Sequence, residues 1–319
     1  MERIERRLIV PQEFAGSRFD QAAARLLPEF SRSRLKTWIE SGRLTLRGRD
    51  TRPRTLLKGG EELLLDVELE AATVVAAEPI PLNIVHADDA LLVIDKPAGL
   101  VVHPGAGNRS GTLQNALLHL YPELAVVPRA GILHRLDKDT SGLLLVARTL
   151  AAQKSLAAAL ERRGIRRTYR ALCHGVLTGG RNIDAPIGRH RRERTKMAVT
   201  QSGRTARTRV RVVERFRAHT LCEVDLETGR THQIRVHMAH VRAPLVGDPV
   251  YGGRPRLPRG ASDSLREQLQ GFKRQALHAT RLELTHPVTG AAASFESPLA
   301  QDFAALLAAL RVDAAEGER

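Results

Sequence analysis

The sequence predicts an α+β protein in two parts, and three observations carry that reading. Residues 18–40 repeat their apolar side chains at helical spacing, and the pattern changes to alternation from Arg43 onward. A stretch rich in Ala, Glu and Pro then interrupts the chain over Glu68–Pro81. Beyond it, short apolar strands alternate with helices to the end of the chain.

Residues 1–17 are an N-terminal extension, and residues 18–68 form a small module of two helices followed by a hairpin. Phe19, Ala22, Ala23, Leu26 and Leu27 share one helical face, and Leu35, Trp38 and Ile39 share a second, which Gly42 ends as a left-handed cap. The hairpin runs through Leu44 and Leu46, turns at Arg47–Gly48 and returns over Leu63–Val67. Residues 69–81 are a linker, and a larger domain fills 82–312. In that domain Leu91–Ile94, Leu143–Val146 and Thr208–Val213 read as strands, and Leu150–Arg163 as a helix capped by Thr149. Gly253–Gln275 is a basic, proline-containing excursion with one short helix. A last helix, Leu299–Leu310, precedes a flexible tail over 313–319.

Composition narrows the function. The chain has 319 residues, 42% hydrophobic, which is enough for a sizeable core. Neither a charged-then-apolar leader nor a run of about twenty apolar residues is present. A soluble cytoplasmic protein without membrane partners follows. Cys173 and Cys222 sit in apolar-alternating stretches and read as inert core thiols. The net charge is +15, with +7 in residues 18–58, +13 in residues 161–217 and −5 elsewhere. Charge concentrated in two stretches suits a phosphate-bearing partner, and nucleic acid fits better than an anionic membrane.

The stretch His134–Gly142, HRLDKDTSG, holds the best candidate for chemistry. Asp137 sits in a turn that Thr140, Ser141 and Gly142 can stabilise, at the mouth of an apolar strand. On the residues alone, a carboxylate nucleophile and a plain turn-capping aspartate are about equally good readings. His232, His237 and His240 fit no standard ligand spacing, so no metal is expected; they read as structural hydrogen-bonders or phosphate contacts. Pro104–Gly107 lacks the third glycine and the helix that a dinucleotide loop needs.

Four ordered motifs go further: DKPAGLVVHPGAG (Asp95–Gly107), HRLDKDTSGLLLVA (His134–Ala147), RRTYRAL (Arg166–Leu172) and LETGRTHQIRVHMAHVRAPLVGDPVYGG (Leu226–Gly253). With them the chain resembles the RluA family of pseudouridine synthases over nearly its whole length. Residues 18–68 also resemble a small RNA-binding module first known from a ribosomal protein. The resemblance implies a mixed, largely antiparallel sheet with the active-site cleft across it. It implies Asp137 as the catalytic aspartate, Tyr169 as the active-site tyrosine and Arg235 as the arginine that ion-pairs with the aspartate. Arg135 matches the residue that fills the gap left by a flipped base. Arg32, Arg34, Lys36, Arg43 and Arg47 would add RNA phosphate contacts.

The expected reaction turns uridine into pseudouridine in large-subunit ribosomal RNA. It breaks the N-glycosidic bond and rejoins uracil through carbon 5, so it needs no cofactor. Asp137 would act at the ribose, held by Arg235. A stacked base cannot be reached, so the uridine must be flipped into a pocket. The competing reading is an inactive ribosome-assembly or RNA-binding factor of the same fold. The intact set Asp137, Tyr169 and Arg235 favours the enzyme. A glycosidase needs two carboxylates flanking one bond, for which Asp137 and Asp139 in one turn are poorly placed.

Overall fold

The computed structural model describes every residue except 1, 29, 31, 48–50, 70–74, 106, 194 and 318–319. The chain divides into two compact units, Met1–Val74 and Val75–Arg319.

The first unit contains β1 (Glu2–Ile9), α1 (Phe19–Leu26), α2 (Arg32–Glu40), β2 (Leu44–Leu46) and β3 (Glu62–Leu69). Phe19, Ala22 and Ala23 of α1 are buried together with Leu35, Trp38 and Ile39 of α2 and with the alternate residues Leu63, Leu65 and Val67 of β3. Gly42 takes φ +72 after α2, and its N–H and that of Arg43 close on the carbonyls of Ile39 and Trp38. That is the left-handed cap the sequence predicts.

Two features differ from expectation. Residues 1–17 are not a separate extension, because β1 pairs antiparallel with β3 from Glu2↔Leu69 to Ile9↔Glu62 and completes a sheet of order β1-β3-β2. Gly48 of the expected turn lies outside the described residues, but β2 and β3 are not joined tightly. Arg47 N–H donates to Glu62 O, and the intervening chain folds back so that Thr55 O accepts from Phe19 N and Leu57 O from Gly16 N.

The second unit runs β4 (Asn83–Ala87), β5 (Leu91–Lys96), α3 (Leu113–Leu120), β6 (Ser141–Ala147), α4 (Leu150–Glu161), β7 (Arg166–His174), β8 (Arg181–Asp184), β9 (Ile187–Arg189) and β10 (Met197–Val199). It continues with β11 (Arg207–Arg215), β12 (His219–Leu226), α5 (Gln233–His240), α6 (Asp263–Gly271), β13 (Leu277–Thr285), β14 (Ala292–Glu296) and α7 (Gln301–Gly317). One large sheet has the order β4-β5-β6-β13-β7-β12-β11-β8, with β14 also on β13, and β9 and β10 make a separate hairpin. All its pairings are antiparallel except β6 with β13. The largely antiparallel sheet implied by the family resemblance is therefore present.

The core strands β5 and β6 are buried along nearly their whole length, which explains their unbroken apolar runs. Thr149 caps α4 by accepting from Ala152 N, as expected. Residues of the expected linker also pack here, since Asn115 donates to Ala76 O and accepts, through its backbone carbonyl, from Glu78 N. The last helix does not end at Leu310. It continues through residue 317, with Asp313 buried and accepting from Arg217, so 313–317 are helix and not tail. Among the described residues no helix is long and apolar enough to cross a membrane.

Gly142 decides how the sheet meets the site. It takes φ +106, and a Cβ there would lie 2.3 Å from the carbonyl oxygen of Ala279. Only glycine lets β6 come so close to β13 in parallel register, His278↔Ser141 and Ala279↔Gly142. The loop that carries Asp137 therefore enters the sheet beside β13 and β7.

Candidate active site

The loop 134–141 is pinned from several sides. Thr140 N–H donates to Asp137 O at 3.0 Å, and Thr140 Oγ1 accepts from Gln275 Nε2 at 2.9 Å. Ser141 Oγ meets His278 Nδ1 at 2.9 Å. Lys138 O accepts from Gly99 N and from Lys96 Nζ, both at 2.9 Å, and Asp139 O accepts from Arg274 Nη1 at 3.2 Å. Lys96 is fully buried and also donates to Pro97 O and Leu100 O. Burial pushes its ammonium down to about 7, against the charges of Asp139 and Asp137 that favour the cation. His134 accepts from Leu145 N at 3.1 Å, and burial with the nearby Arg167 charge pushes its pKa down to about 3.

Asp137 is left with a half-buried carboxylate facing a cleft of about 340 Å³, a volume that includes its open mouth. Arg235 Nη1 donates to Asp137 Oδ2 at 3.0 Å. The rest of that guanidinium is committed to Asp248: Nε donates to Oδ2 at 2.7 Å and Nη2 to Oδ1 at 2.8 Å. Asp248 is fully buried and also accepts from Val250 N and Tyr251 N. Burial alone would release the Arg235 proton more easily, but the hydrogen bond and charge of Asp248, then Asp137, hold its pKa above the usual value. Burial likewise raises the Asp248 carboxyl, and Arg235 more than reverses this, keeping it below the usual carboxylate range. Arg235 is thus a fixed cation with one arm for Asp137.

Tyr169 lies on β7, opposite Val224 of β12 and Ala279 of β13, and lines the same cleft. Burial, opposed by the Arg167 charge and helped by that of Asp137, raises its pKa, so the hydroxyl is held neutral. A neutral phenol takes up a proton only by passing its own on, which narrows its chemistry to a relay or a hydrogen bond. Arg135 stands at the exposed rim of the cleft, and Leu277 and Ile234 give apolar walls.

The expected catalytic residues and Arg135 therefore converge from β7, α5 and the 134–141 loop. The expected phosphate-contacting residues belong to the first unit. There Arg32 is 4.0 Å from Asp20, Lys36 is 3.6 Å from Glu40, and Arg47 donates to Glu62 at 2.8 Å. Arg34 lies over the Trp38 ring at 5.7 Å, and Arg43 is exposed after α2.

The three histidines point to separate tasks. His232 Nδ1 meets Tyr251 Oη at 2.9 Å, His237 bonds to Thr208 Oγ1 and Ala185 O, and His240 is exposed. Among the described residues no three His, Cys, Asp or Glu side chains are grouped to hold a metal ion. Both thiols are free and buried.

Sequence reasoning missed Asp248, Tyr251 and Lys96. Each lay inside a motif already noted, GDPVYGG or DKPAG, but an aspartate that caps a turn gives no local sign of the arginine it holds.

The chain is similar to known proteins over most of its length. A family model described as RNA pseudouridylate synthase matches residues 90–240. A protein of Xanthomonas campestris named ribosomal large subunit pseudouridine synthase D is 57% identical over 310 residues, covering 97% of this chain and 94% of its own. The protein of that name from Pseudomonas aeruginosa is also 57% identical, covering 97% of both chains. Among solved structures, human RNA pseudouridylate synthase domain containing 4 superposes with TM-score 0.56 at 26% identity, over 72% of this chain and 93% of its own.

Proposed function

This chain belongs to the RNA pseudouridylate synthase family and isomerises uridine to pseudouridine in large-subunit ribosomal RNA; from that premise we propose that Asp137 is the nucleophile, with Arg235 as its holder. The observation that supports this most is the single arm of Arg235 on Asp137, with the other two nitrogens locked on buried Asp248. A carboxylate held on one oxygen keeps the other for the ribose.

The reaction breaks the bond from ribose C1′ to uracil N1 and makes one from C1′ to C5. The C5 hydrogen leaves as a proton and N1 gains one, so the reaction is redox-neutral and consumes nothing. Asp137 acts either at C1′ directly or by way of a glycal, and Tyr169 stands against the uracil; on the glycal route its neutral hydroxyl takes the ribose proton while passing its own to the Asp137 carboxylate, and the transfer reverses when C1′ bonds to C5. The uridine is flipped from its stack to reach the cleft, and Arg135 at the rim holds the vacated space. The cations of the first unit, Arg32, Arg34, Lys36, Arg43 and Arg47, contact phosphate and position the RNA without taking part in chemistry. The cytoplasm, where ribosomal RNA is assembled in bacteria, is the proposed location.

The test is a pseudouridine map of large-subunit ribosomal RNA from cells lacking this protein. Specific sites should revert to uridine, return with the wild-type gene and stay absent with Asp137→Asn. Restoration by Asp137→Asn would overturn the assignment of the nucleophile.

A further inference from the structure

His232 sits at the mouth of α5 with a backbone that only a constrained residue keeps. It takes φ 57 and ψ 22, the left-handed region, at the N-cap of the helix. Its side chain makes no cap hydrogen bond there. The ring instead lines the cleft, with Nε2 4.0 Å from Asp137 Oδ1 and Nδ1 2.9 Å from Tyr251 Oη. Asp137 Oδ1 is the oxygen that Arg235 does not hold, since its arm reaches Oδ2.

The hydrogen bonds and the facing carboxylate together favour one nitrogen for the proton. Tyr251 Oη already accepts from Met197 N at 2.9 Å, so its own hydrogen is available to His232 Nδ1. With Nδ1 accepting, the neutral ring must carry its hydrogen on Nε2, facing the carboxylate. The reverse tautomer would aim a lone pair at a carboxylate oxygen 4.0 Å away, which Coulomb repulsion disfavours. Burial lowers the His232 pKa, opposed by the Asp137 and Asp248 charges and assisted by Arg235 and Arg135. The neutral ring is thus the form to consider.

We propose that His232 is a second positioning residue for Asp137, its Nε2–H closing on one lone pair of Oδ1 when the substrate fills the cleft and leaving the other lone pair for the ribose, and that Tyr251 acts through it by setting the tautomer. At 4.0 Å the contact is open in the unliganded chain, and such contacts commonly tighten only in the substrate complex. The same tyrosine ring packs under Arg235, with the guanidinium 5.2 Å from its centroid, and its backbone N–H donates to Asp248. One residue therefore braces both holders of Asp137. Through Met197 it also ties them to the β9–β10 hairpin, whose exposed tip carries Arg191 and Arg192.

This inference rests on the reading of Asp137 as nucleophile, so the experiment carries a control for it. Single-turnover rate and RNA affinity are measured on a ribosomal RNA fragment for His232→Leu, His232→Gln, Tyr251→Phe and the pair His232→Leu with Tyr251→Phe. Folding is checked by circular dichroism. His232→Leu and Tyr251→Phe should each slow the chemical step, by up to about 10²-fold, with affinity changed less than about threefold. His232→Gln, whose amide N–H reaches the place of Nε2–H, should recover most of the loss. The double variant should be no slower than His232→Leu alone, because the two act as one unit. Nitrogen-15 NMR of the imidazole should report hydrogen on Nε2 in the wild type. A full rate for His232→Leu, no rescue by Gln in a folded protein, an additive double variant, or hydrogen on Nδ1 would each overturn the proposal. Asp137→Asn is run alongside: if it turns over, the nucleophile reading fails; if it is inactive while His232→Leu is unimpaired, only this inference fails.

Discussion

The two units use arginine in opposite ways. In the first, Arg32 and Arg47 have side chains 65% and 73% exposed, and although Asp20, the partner of Arg32, is buried, both guanidinium groups stay open to solvent. In the second, Arg235 is 6% exposed, and two of its nitrogens are locked on a carboxylate with no exposure at all. An exposed pair is worth about 0–1 kcal/mol and is readily exchanged for a phosphate. A buried one cannot be exchanged without leaving a charge stranded. The comparison separates the two jobs proposed for charge in this chain: exposed cations of the first unit to gather RNA, and the buried Arg235 to aim the Asp137 carboxylate.

Breaking the buried side should have the largest effect. Arg235→Met strands Asp248 in the interior and releases Asp137, so urea unfolding should show a loss of roughly 3–5 kcal/mol, and turnover should fall below detection. Arg235→Lys should be nearly as inactive, since an ammonium cannot serve Asp248 at two oxygens and Asp137 at a third. A Lys variant with wild-type turnover would mean that charge alone is enough there.

Next in size is Tyr169→Phe, which removes the hydroxyl and keeps the ring. The single-turnover rate should fall roughly 10²–10⁴-fold if the hydroxyl moves a proton, with RNA affinity little changed. Tyr169→Ala should lose packing as well. If the Phe variant turned over like wild type and the Ala variant did not, the ring would be a stacking wall only.

The exposed side should give the smallest change in rate. Replacing Arg32, Arg34 and Lys36 together with Ala should raise KM and leave the rate at saturating RNA nearly unchanged. The slope of log affinity against log salt should become shallower by roughly 0.7 for each cation that meets a phosphate. An unaltered slope would assign these residues to a protein partner.

The same contrast explains what the sequence could disclose. Leu91–Ile94, Leu143–Val146 and the Thr149-capped helix were legible because burial and capping write themselves into neighbouring residues. Strand β1 was not, since Glu2–Ile9 carries charges at five of eight positions and is held by pairing with a strand some sixty residues away. Asp137, Tyr169, Arg235 and Arg135 were named through family motifs and do meet at one cleft. Their residue types alone left the turn-capping reading of Asp137 standing. Asp248 and Tyr251 escaped because their local roles, a turn and a half-buried aromatic, conceal contacts made across the fold.

The most direct measurement is single-turnover pseudouridine formation by Asp137→Asn and Asp139→Asn on one large-subunit ribosomal RNA fragment, with RNA affinity followed in parallel. Asn at 137 keeps the shape and removes the proposed nucleophile, whereas Asp139 contributes its backbone carbonyl to Arg274 and that contact survives substitution. Asp137→Asn should give no product with affinity within a few-fold of wild type, and Asp139→Asn a much milder loss. Product from Asp137→Asn, or equal loss from both variants, would contradict the assignment of Asp137.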